Sequence, residues 1–360
     1  MLTRSQVLSK IKRNPAKLSF LPSEWRDDRE MILTALKLQG LVLGDLSAIS
    51  RDTEEYALEA YKSNWESLRF ASNRLTSDFE FMTKIVALTE KDSQEASILL
   101  NSATGDLKDN DAFIMACLEQ SPLNIEYAKK ETYRNNYDLM LSLVKRDGTC
   151  YYFASEEIKR DRVFMKTALA QAGMVHSALP PEFREDEELI LLAAKTYLPI
   201  LTFDVPSKYK DHPELQSLLD DKELVRHQIT NYDPEVYSII SERLRDDEEF
   251  LIELLNHPEV CIGLIRYASE RLKKNREIAM KACRSYHFSI NDLTDYHGGD
   301  LEVMMSALSK GGRDPLVRTR RILYAYYTKP VQDFIETHPQ QMLSLDLMKA
   351  PRDSFAFNRI

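Results

Sequence analysis

Apolar residues return along this chain at positions that suit short amphipathic helices. Counted from a polar residue that precedes each helix, the apolar positions are +3, +4, +7 and +8, which share one helical face. Position +3 is occupied in turn by Met31, Phe81, Phe113, Leu139, Phe164, Leu189, Leu215, Phe250, Ile278 and Val303. The pattern predicts a series of short helices, each with one buried face.

The polar residue at the start of each series has the properties of a helix N-cap. An Asp or Asn side chain there accepts a hydrogen bond from an otherwise unpaired N–H of the first turn. The predicted caps are Asp28, Asp52, Asp78, Asn110, Asn136, Asp161, Asp186, His212, Asp247, Asn275 and Asp300. The second unit departs from the pattern, because Glu55 and Glu59 occupy its +3 and +7 positions.

A second, shorter helix is predicted before each cap. It often opens with a cap-and-proline pair, which suits a helix start because the first helical N–H has no partner; the pairs are Asn14-Pro15, Ser121-Pro122, Asp233-Pro234 and His257-Pro258. Residues 151–170 return at 265–284 and, less closely, at 68–87, with apolar positions kept and surface positions free. A helix-turn-helix unit of about 25 residues cannot bury its apolar face alone, whereas stacked units can. The sequence predicts an all-α fold, an α-solenoid of about eleven such repeats.

Two intervals between predicted caps are longer than the rest. The extra residues near 90–106 and 220–233 are interpreted as insertions that bend the superhelix or add a helix. They divide the chain into N-terminal repeats at 1–89, central repeats at 90–220, C-terminal repeats at 221–308, and a terminal cap and tail at 309–360.

The repeated motif is of the F-A-S-x-x-L-x-x-D type, as at Phe70–Asp78 and Phe153–Asp161. It resembles tandem helical repeats classed as domains of unknown function, which occur in effector proteins of intracellular bacterial pathogens and in some protists. The resemblance covers roughly residues 10–308 and is weakest in the two insertions. It implies a scaffold or interaction role in a translocated effector, and it brings no catalytic residues with it.

Composition narrows the classes of function. Apolar residues make up 43% of the chain and charged residues 29%, which is enough for a continuous core. A net charge of −9 disfavours a protein that binds extended nucleic acid. The four scattered cysteines are interpreted as reduced thiols in a cytosolic setting. Neither a secretory signal peptide nor a transmembrane helix is expected.

One constellation has metal-ligand spacing. His257 and Cys261, then Cys283 and His287, form two i, i+4 pairs that suit zinc. The alternative gives Cys283 a core position and His257 a capping role. We favour the alternative and expect no metal and no cofactor. Acidic pairs such as Asp246-Asp247 are interpreted as caps and solvated first turns rather than catalytic dyads, and no catalytic residue is assigned.

A basic and aromatic segment follows the last repeat. Arg318 and Arg321 share a helical face with Tyr324, and Arg320 lies to one side of it. These four residues, Arg318, Arg320, Arg321 and Tyr324, are the candidate partner-binding residues, because guanidinium groups beside an aromatic ring suit an acidic partner. The alternative is a solvated end helix whose tyrosines cover the last repeat.

The function predicted from these features is a non-catalytic protein–protein interaction scaffold. Its partner is another protein, and its location is the cytoplasm or the interior of a host cell into which it is secreted. The alternative is an enzyme whose site assembles between non-adjacent repeats without a recognisable linear motif.

Overall fold

The structure is a computed structural model that describes residues 3–203, 205, 207–209, 211–257, 260, 263–283, 296–297, 300, 302–303 and 306. Every regular element within these residues is helical, which confirms the predicted all-α repeat fold. The chain divides into two compact units, Met1–Pro180 and Pro181–Ile360, called unit 1 and unit 2 below.

Unit 1 alternates ten-residue α-helices with shorter elements. The ten-residue helices are Arg4–Arg13, Arg29–Leu38, Glu54–Ser63, Phe79–Leu88, Asp111–Gln120, Tyr137–Arg146 and Arg162–Gln171. The one-turn α-helices are Ser23–Arg26, Ala48–Arg51, Asn73–Thr76, Gln94–Ser97, Leu99–Ser102, Glu131–Arg134 and Glu156–Lys159. The 3-10 helices are Pro15–Phe20, Gly40–Asp45, Trp65–Phe70, Gly105–Asp109, Pro122–Tyr127, Gly148–Phe153 and Gly173–Ala178.

Unit 2 follows the same plan with more variable lengths. Its α-helices are Glu187–Thr196, Ile200–Phe203, Pro213–Leu219, Lys222–Asn231, Glu242–Arg245, Glu248–Leu255, Glu270–Lys274 and Arg276–Ala282. Its 3-10 helices are Pro181–Phe183, Ser207–Tyr209, Pro234–Ser238 and Leu264–Tyr267.

The helix predicted before each cap is two elements rather than one. A 3-10 helix runs into an extended Ala-Ser step, and the serine then caps a separate one-turn α-helix. At Ser72 the backbone is extended and the hydroxyl accepts from the N–H of Leu75 at 3.2 Å. The prolines of three predicted pairs do open 3-10 helices, at Pro15, Pro122 and Pro234; Pro258 lies outside the described residues.

Most predicted caps of the longer helices are confirmed. Asp161 accepts from the N–H of Phe164 at 2.8 Å, and Asp300 accepts from two successive N–H groups at 3.1 Å. The other confirmed caps are Asp28, Asp78, Asn110, Asn136, Asp186, His212, Asp247 and Asn275.

The predicted cap at Asp52 is wrong. The helix Glu54–Ser63 begins one residue later, with Thr53 as its N-cap. With this cap, Ala57, Ala60 and Tyr61 lie in the core. Glu55 and Glu59 no longer occupy apolar positions of the pattern. Asp52 lies one residue before that cap, and its carboxylate is bound by Ser72 and Arg74 of the next repeat.

The interpretation of residues 220–233 as an insertion is also wrong. Residues Lys222–Asn231 form the regular ten-residue helix, capped by Asp221, and the extra elements Ile200–Phe203 and Ser207–Tyr209 precede it. His212 is a genuine N-cap, because its Nδ1 accepts from the N–H of Glu214. The helix that it caps is the shorter Pro213–Leu219 and not the ten-residue helix of this repeat. The segment boundary at 221 stays a prediction.

The insertion near 90–106 does add a helix. Gln94–Ser97 and Leu99–Ser102 both form hydrogen bonds with the side chain of the buried Asn124. Its Nδ2 donates to the carbonyl of Ala96 at 2.7 Å, and its Oδ1 accepts from the N–H of Leu100 at 3.0 Å. One amide side chain thereby satisfies main-chain groups that the inserted turns would leave unpaired.

The predicted core positions are buried between repeats. Phe81, Phe164, Phe250 and Ile278 are at most 1% exposed. The ring of Phe164 stacks on Tyr151 with centroids 5.6 Å apart, and it lies 6.4 Å from Tyr137 on the preceding ten-residue helix.

Small residues let successive repeats approach closely. A Cβ atom added to Gly148, where a 3-10 helix begins, would lie 2.5 Å from the carbonyl oxygen of Ala168 in the next repeat. At Gly40 the same atom would lie 2.2 Å from the oxygen of Ala60. Both contacts are to main-chain oxygens, so they account for the glycine at the start of each 3-10 helix.

Replacing Phe164 with Ala is expected to cost about 3–5 kcal/mol of unfolding free energy, because it removes a ring packed on two aromatic neighbours. The adjacent Val163, which is 59% exposed, provides the control: Val163→Ala should be nearly neutral. Denaturant unfolding of both variants checks this. Equal stabilities for the two variants would show that the register is wrong.

Candidate binding surface

The sequence-predicted partner residues Arg318, Arg320, Arg321 and Tyr324 lie outside the described residues. Their role stays a prediction.

The suggested zinc constellation is only partly described. Cys283 is fully buried and its thiol lies 3.7 Å from the carbonyl of Val303, as the core interpretation predicts. His257 follows a helix end, and its N–H donates to the carbonyl of Leu254 at 3.1 Å. Cys261 and His287 lie outside the described residues. Within the part of the chain that the structure describes, no three His, Cys, Asp or Glu side chains are placed to hold a metal ion.

The two residues of the acidic pair Asp246-Asp247 have different structural roles. Asp247 caps its helix by accepting from the N–H of Phe250 at 2.9 Å, as predicted. Asp246, interpreted from the sequence as part of a solvated turn, instead binds the next repeat through Ser269 and Arg271.

This linkage recurs, and we call it the Asp clamp. In the first instance the hydroxyl of Ser72 donates to Asp52, and Arg74 Nε lies 2.9 and 3.0 Å from the two carboxylate oxygens. Arg74 Nη2 also donates to the carbonyl of Asp52 at 2.7 Å. The clamps are Asp52–Ser72–Arg74, Asp220–Ser241–Arg243 and Asp246–Ser269–Arg271.

The clamp aspartates are held in the charged form. Hydrogen bonds from the serine and then the arginine lower the pKa of Asp52, Asp220 and Asp246 below the ordinary value of an aspartate. The sequence signal, which we missed, is an aspartate followed 20 to 23 residues later by S-x-R at the start of a short helix.

A main-chain hydrogen bond accompanies the clamp. At four of the capping serines, the N–H donates at 3.1 Å to the last carbonyl of the short α-helix in the preceding repeat. The pairs are Ser72 with Arg51, Ser155 with Arg134, Ser241 with Leu219, and Ser269 with Arg245. We call each such contact a junction, and Arg51, Arg134 and Arg245 the junction arginines.

The junction arginines share an unusual side-chain environment. In all three the Nε atom is buried and has no hydrogen-bond partner. A buried donor without a partner costs folding free energy, about 1–3 kcal/mol in measured cases. Three occurrences at one repeat position make a chance defect an inadequate explanation, and each such group calls for a physical cause.

An aromatic residue from the next repeat belongs to each of these junctions. Phe70, Phe153 and Tyr267 end their 3-10 helices two residues before the capping serine, and all three are half-buried. We call them the junction aromatics. A second cation lies over two of them, with Arg69 at 4.8 Å from the Phe70 centroid and Arg266 at 5.6 Å from the Tyr267 centroid.

In unit 2 the junction opens into a groove of about 670 Å³ between residues 242–246 and residues 266–273, which we call the Arg245 groove. Most of its charges are already engaged. Arg243 binds Asp220, Asp246 binds Arg271, and Lys273 lies 3.2 Å from Glu270. Arg245 makes no ion pair with any described residue.

Three segments of the chain, residues 3–49, 136–175 and 256–296, match the domain of unknown function DUF4116. The match to this domain thus recurs three times along the chain. The predicted resemblance to repeats of unknown function is thereby confirmed, and two of the matched segments contain the junction serines Ser155 and Ser269. No curated protein and no solved structure matches the chain significantly. None of the helices in the described residues combines the length and apolarity needed to cross a membrane.

The clamps make stability depend on pH in a defined direction. Because the folded-state pKa of each clamp aspartate is lowered, its contribution is complete above the unfolded pKa of about 3.9 and is lost as pH falls through the lower folded value. Replacing all three clamp aspartates with Asn should therefore reduce the difference in melting temperature between pH 7 and pH 3.

The control for this measurement removes three exposed carboxylates that take part in no clamp. Its substitutions are Asp45→Asn, Asp106→Asn and Asp211→Asn. This control should keep the pH dependence of the parent protein. If the clamp variant and the control respond to pH alike, the clamps do not stabilise the folded state.

Proposed function

We propose that this protein is a non-catalytic scaffold that binds another protein through its repeat junctions. The observation that supports this most strongly is the recurrence of a junction arginine with an unpaired Nε at junctions where a half-buried aromatic residue precedes the capping serine by two positions. Arginine and aromatic side chains are enriched at protein interfaces and supply much of their binding energy.

The chemistry of the Arg245 groove favours binding over catalysis. The residues that line it include neither histidine nor cysteine, and its carboxylates are engaged with cations or lie at the rim. General acid–base catalysis uses titratable groups placed to exchange protons with a substrate. No observation gives the alternative, an enzyme assembled between non-adjacent repeats, comparable support.

The resemblance to effector repeats extends the proposal to the setting. In that setting the chain is delivered from a bacterium into a host cell, where it binds a host protein in the cytoplasm. This extension rests on the F-A-S motif alone.

Replacing the three junction arginines with Gln tests the proposal. In affinity capture with quantitative mass spectrometry, partners that bind the parent protein should fall by about tenfold or more, as expected when interface arginines are removed. The matched control changes three exposed lysines in the last turns of ten-residue helices, Lys12→Gln, Lys37→Gln and Lys145→Gln. It should retain capture within about twofold. Equal losses in both variants, or no loss in either, would contradict the junction as the binding surface.

The terminal segment is a separate proposal that needs its own variant. Changing Arg318, Arg320 and Arg321 to Glu should leave the melting temperature nearly unchanged, since surface substitutions shift stability by about half a kcal/mol or less. If the segment binds an acidic partner, capture should weaken, and more so at low salt than at high salt. Unaltered capture by the folded variant would assign this segment to an end cap.

A further inference from the structure

We propose that the Arg245 groove binds a single carboxylate of an acidic peptide segment in the partner, with Arg245 as the charged donor. This proposal rests on the proposed protein-binding function and identifies the chemical group that the groove recognises.

Arg245 lines this groove and makes no ion pair with any described residue. It is half-buried, its Nε is buried without a partner, and no described group accepts from its two terminal nitrogens. Arg243, on the same helix, has its Nε 3.0 and 3.1 Å from the two carboxylate oxygens of Asp220 and so is already neutralised. A carboxylate matches the fork of terminal guanidinium nitrogens and forms two parallel charge-assisted hydrogen bonds.

Tyr237 gives the position a second unsatisfied polar group. The side chain is fully buried and its hydroxyl has no hydrogen-bond partner. Burial raises the pKa of Tyr237, and the nearby positive charge of Arg245 opposes that rise. The equivalent Tyr151 in unit 1 donates to the carbonyl of Lys159 at 2.9 Å. Arg245 therefore makes no ion pair with a described residue and lies near a buried hydroxyl without a partner, so an arriving carboxylate gains charge-assisted hydrogen bonds there.

The side chains that line the groove favour a peptide group with a single negative charge. Tyr267 and Ala268 supply apolar surface for a neighbouring side chain of the ligand. Glu242 stands at the exposed rim, and Glu270 is kept charged because Tyr296 and Lys273 lower its pKa. A phosphate dianion would be repelled by these carboxylates more strongly than a carboxylate with one charge. The groove thus fits an Asp or Glu side chain, or a chain terminus, flanked by an apolar residue.

The test observes Arg245 directly in the full chain. Its Nε–H resonance, assigned by its loss in Arg245→Lys, is followed by ¹⁵N NMR during titration with four probes. The probes are Ac-Leu-Glu-Leu-NH2, Ac-Leu-Gln-Leu-NH2, Ac-Leu-Leu-OH and inorganic phosphate. We expect a saturable shift with the Glu peptide and none with its Gln counterpart. A response to Ac-Leu-Leu-OH in place of the Glu peptide would assign the recognised group to a chain terminus.

The matched variants separate binding from folding. Arg245→Gln should weaken binding of the Glu peptide by about tenfold or more, as expected when a hydrogen bond to a charged group is removed. Arg51→Gln, at the equivalent junction of unit 1, should leave the affinity for this peptide unchanged. Arg245→Met keeps the apolar stem and removes the unpaired donor, so its melting temperature should equal or exceed that of the parent protein.

Three results would overturn the proposal. They are a phosphate response stronger than the carboxylate response, an equal response to the Gln peptide, and an equal loss in Arg51→Gln. Protein capture reports separately on the proposed function. If capture depends on the junction arginines while the Glu peptide does not shift the Nε–H resonance of Arg245, protein binding stands and the carboxylate assignment fails. If the peptide binds at Arg245 while capture is insensitive to all three arginines, the carboxylate assignment stands and the proposed protein binding through the junctions fails.

Discussion

The hydrogen bond from a capping serine to the last carbonyl of the short α-helix in the preceding repeat is the contact on which the junctions depend. Apolar burial supplies most of the stability of a stacked repeat, but it is non-directional and tolerates sliding. The 3.1 Å bond from Ser72 to Arg51, repeated at Ser155, Ser241 and Ser269, fixes one register between neighbours. It also satisfies an N–H that a helix N-cap would otherwise leave unpaired.

The other junction features follow from that register. Once the serine N–H is anchored, its hydroxyl can cap its own helix and donate to the clamp aspartate at the same time, as at Ser72. The arginine two residues later then reaches the same carboxylate. Individually, exposed ion pairs contribute little to stability. Their position around a fixed main-chain bond makes them specific for one alignment of the repeats.

The sequence predicted features that depend on local periodicity and missed those that depend on contacts between repeats. Phe164 and its cap Asp161 were predictable because both lie in one amphipathic helix. Asp52 satisfied the same local rule, yet it lies one residue before the cap Thr53 and is bound by Ser72 and Arg74, which are twenty or more residues away. Arg51 resembled an ordinary surface residue because nothing local indicates that its Nε is buried. The partner-binding residues proposed at 318–324 remain predictions from the sequence alone.

Amide hydrogen exchange at the capping serines tests the central claim most directly. Ser72 and Ser155 should exchange at least about a hundredfold more slowly than Ser47, a capping serine whose N–H makes no such bond with the described residues. This contrast is informative because all three serines occupy the same position of the repeat. If Ser72 and Ser155 instead exchange as fast as Ser47, the junction hydrogen bond does not hold the repeats in register.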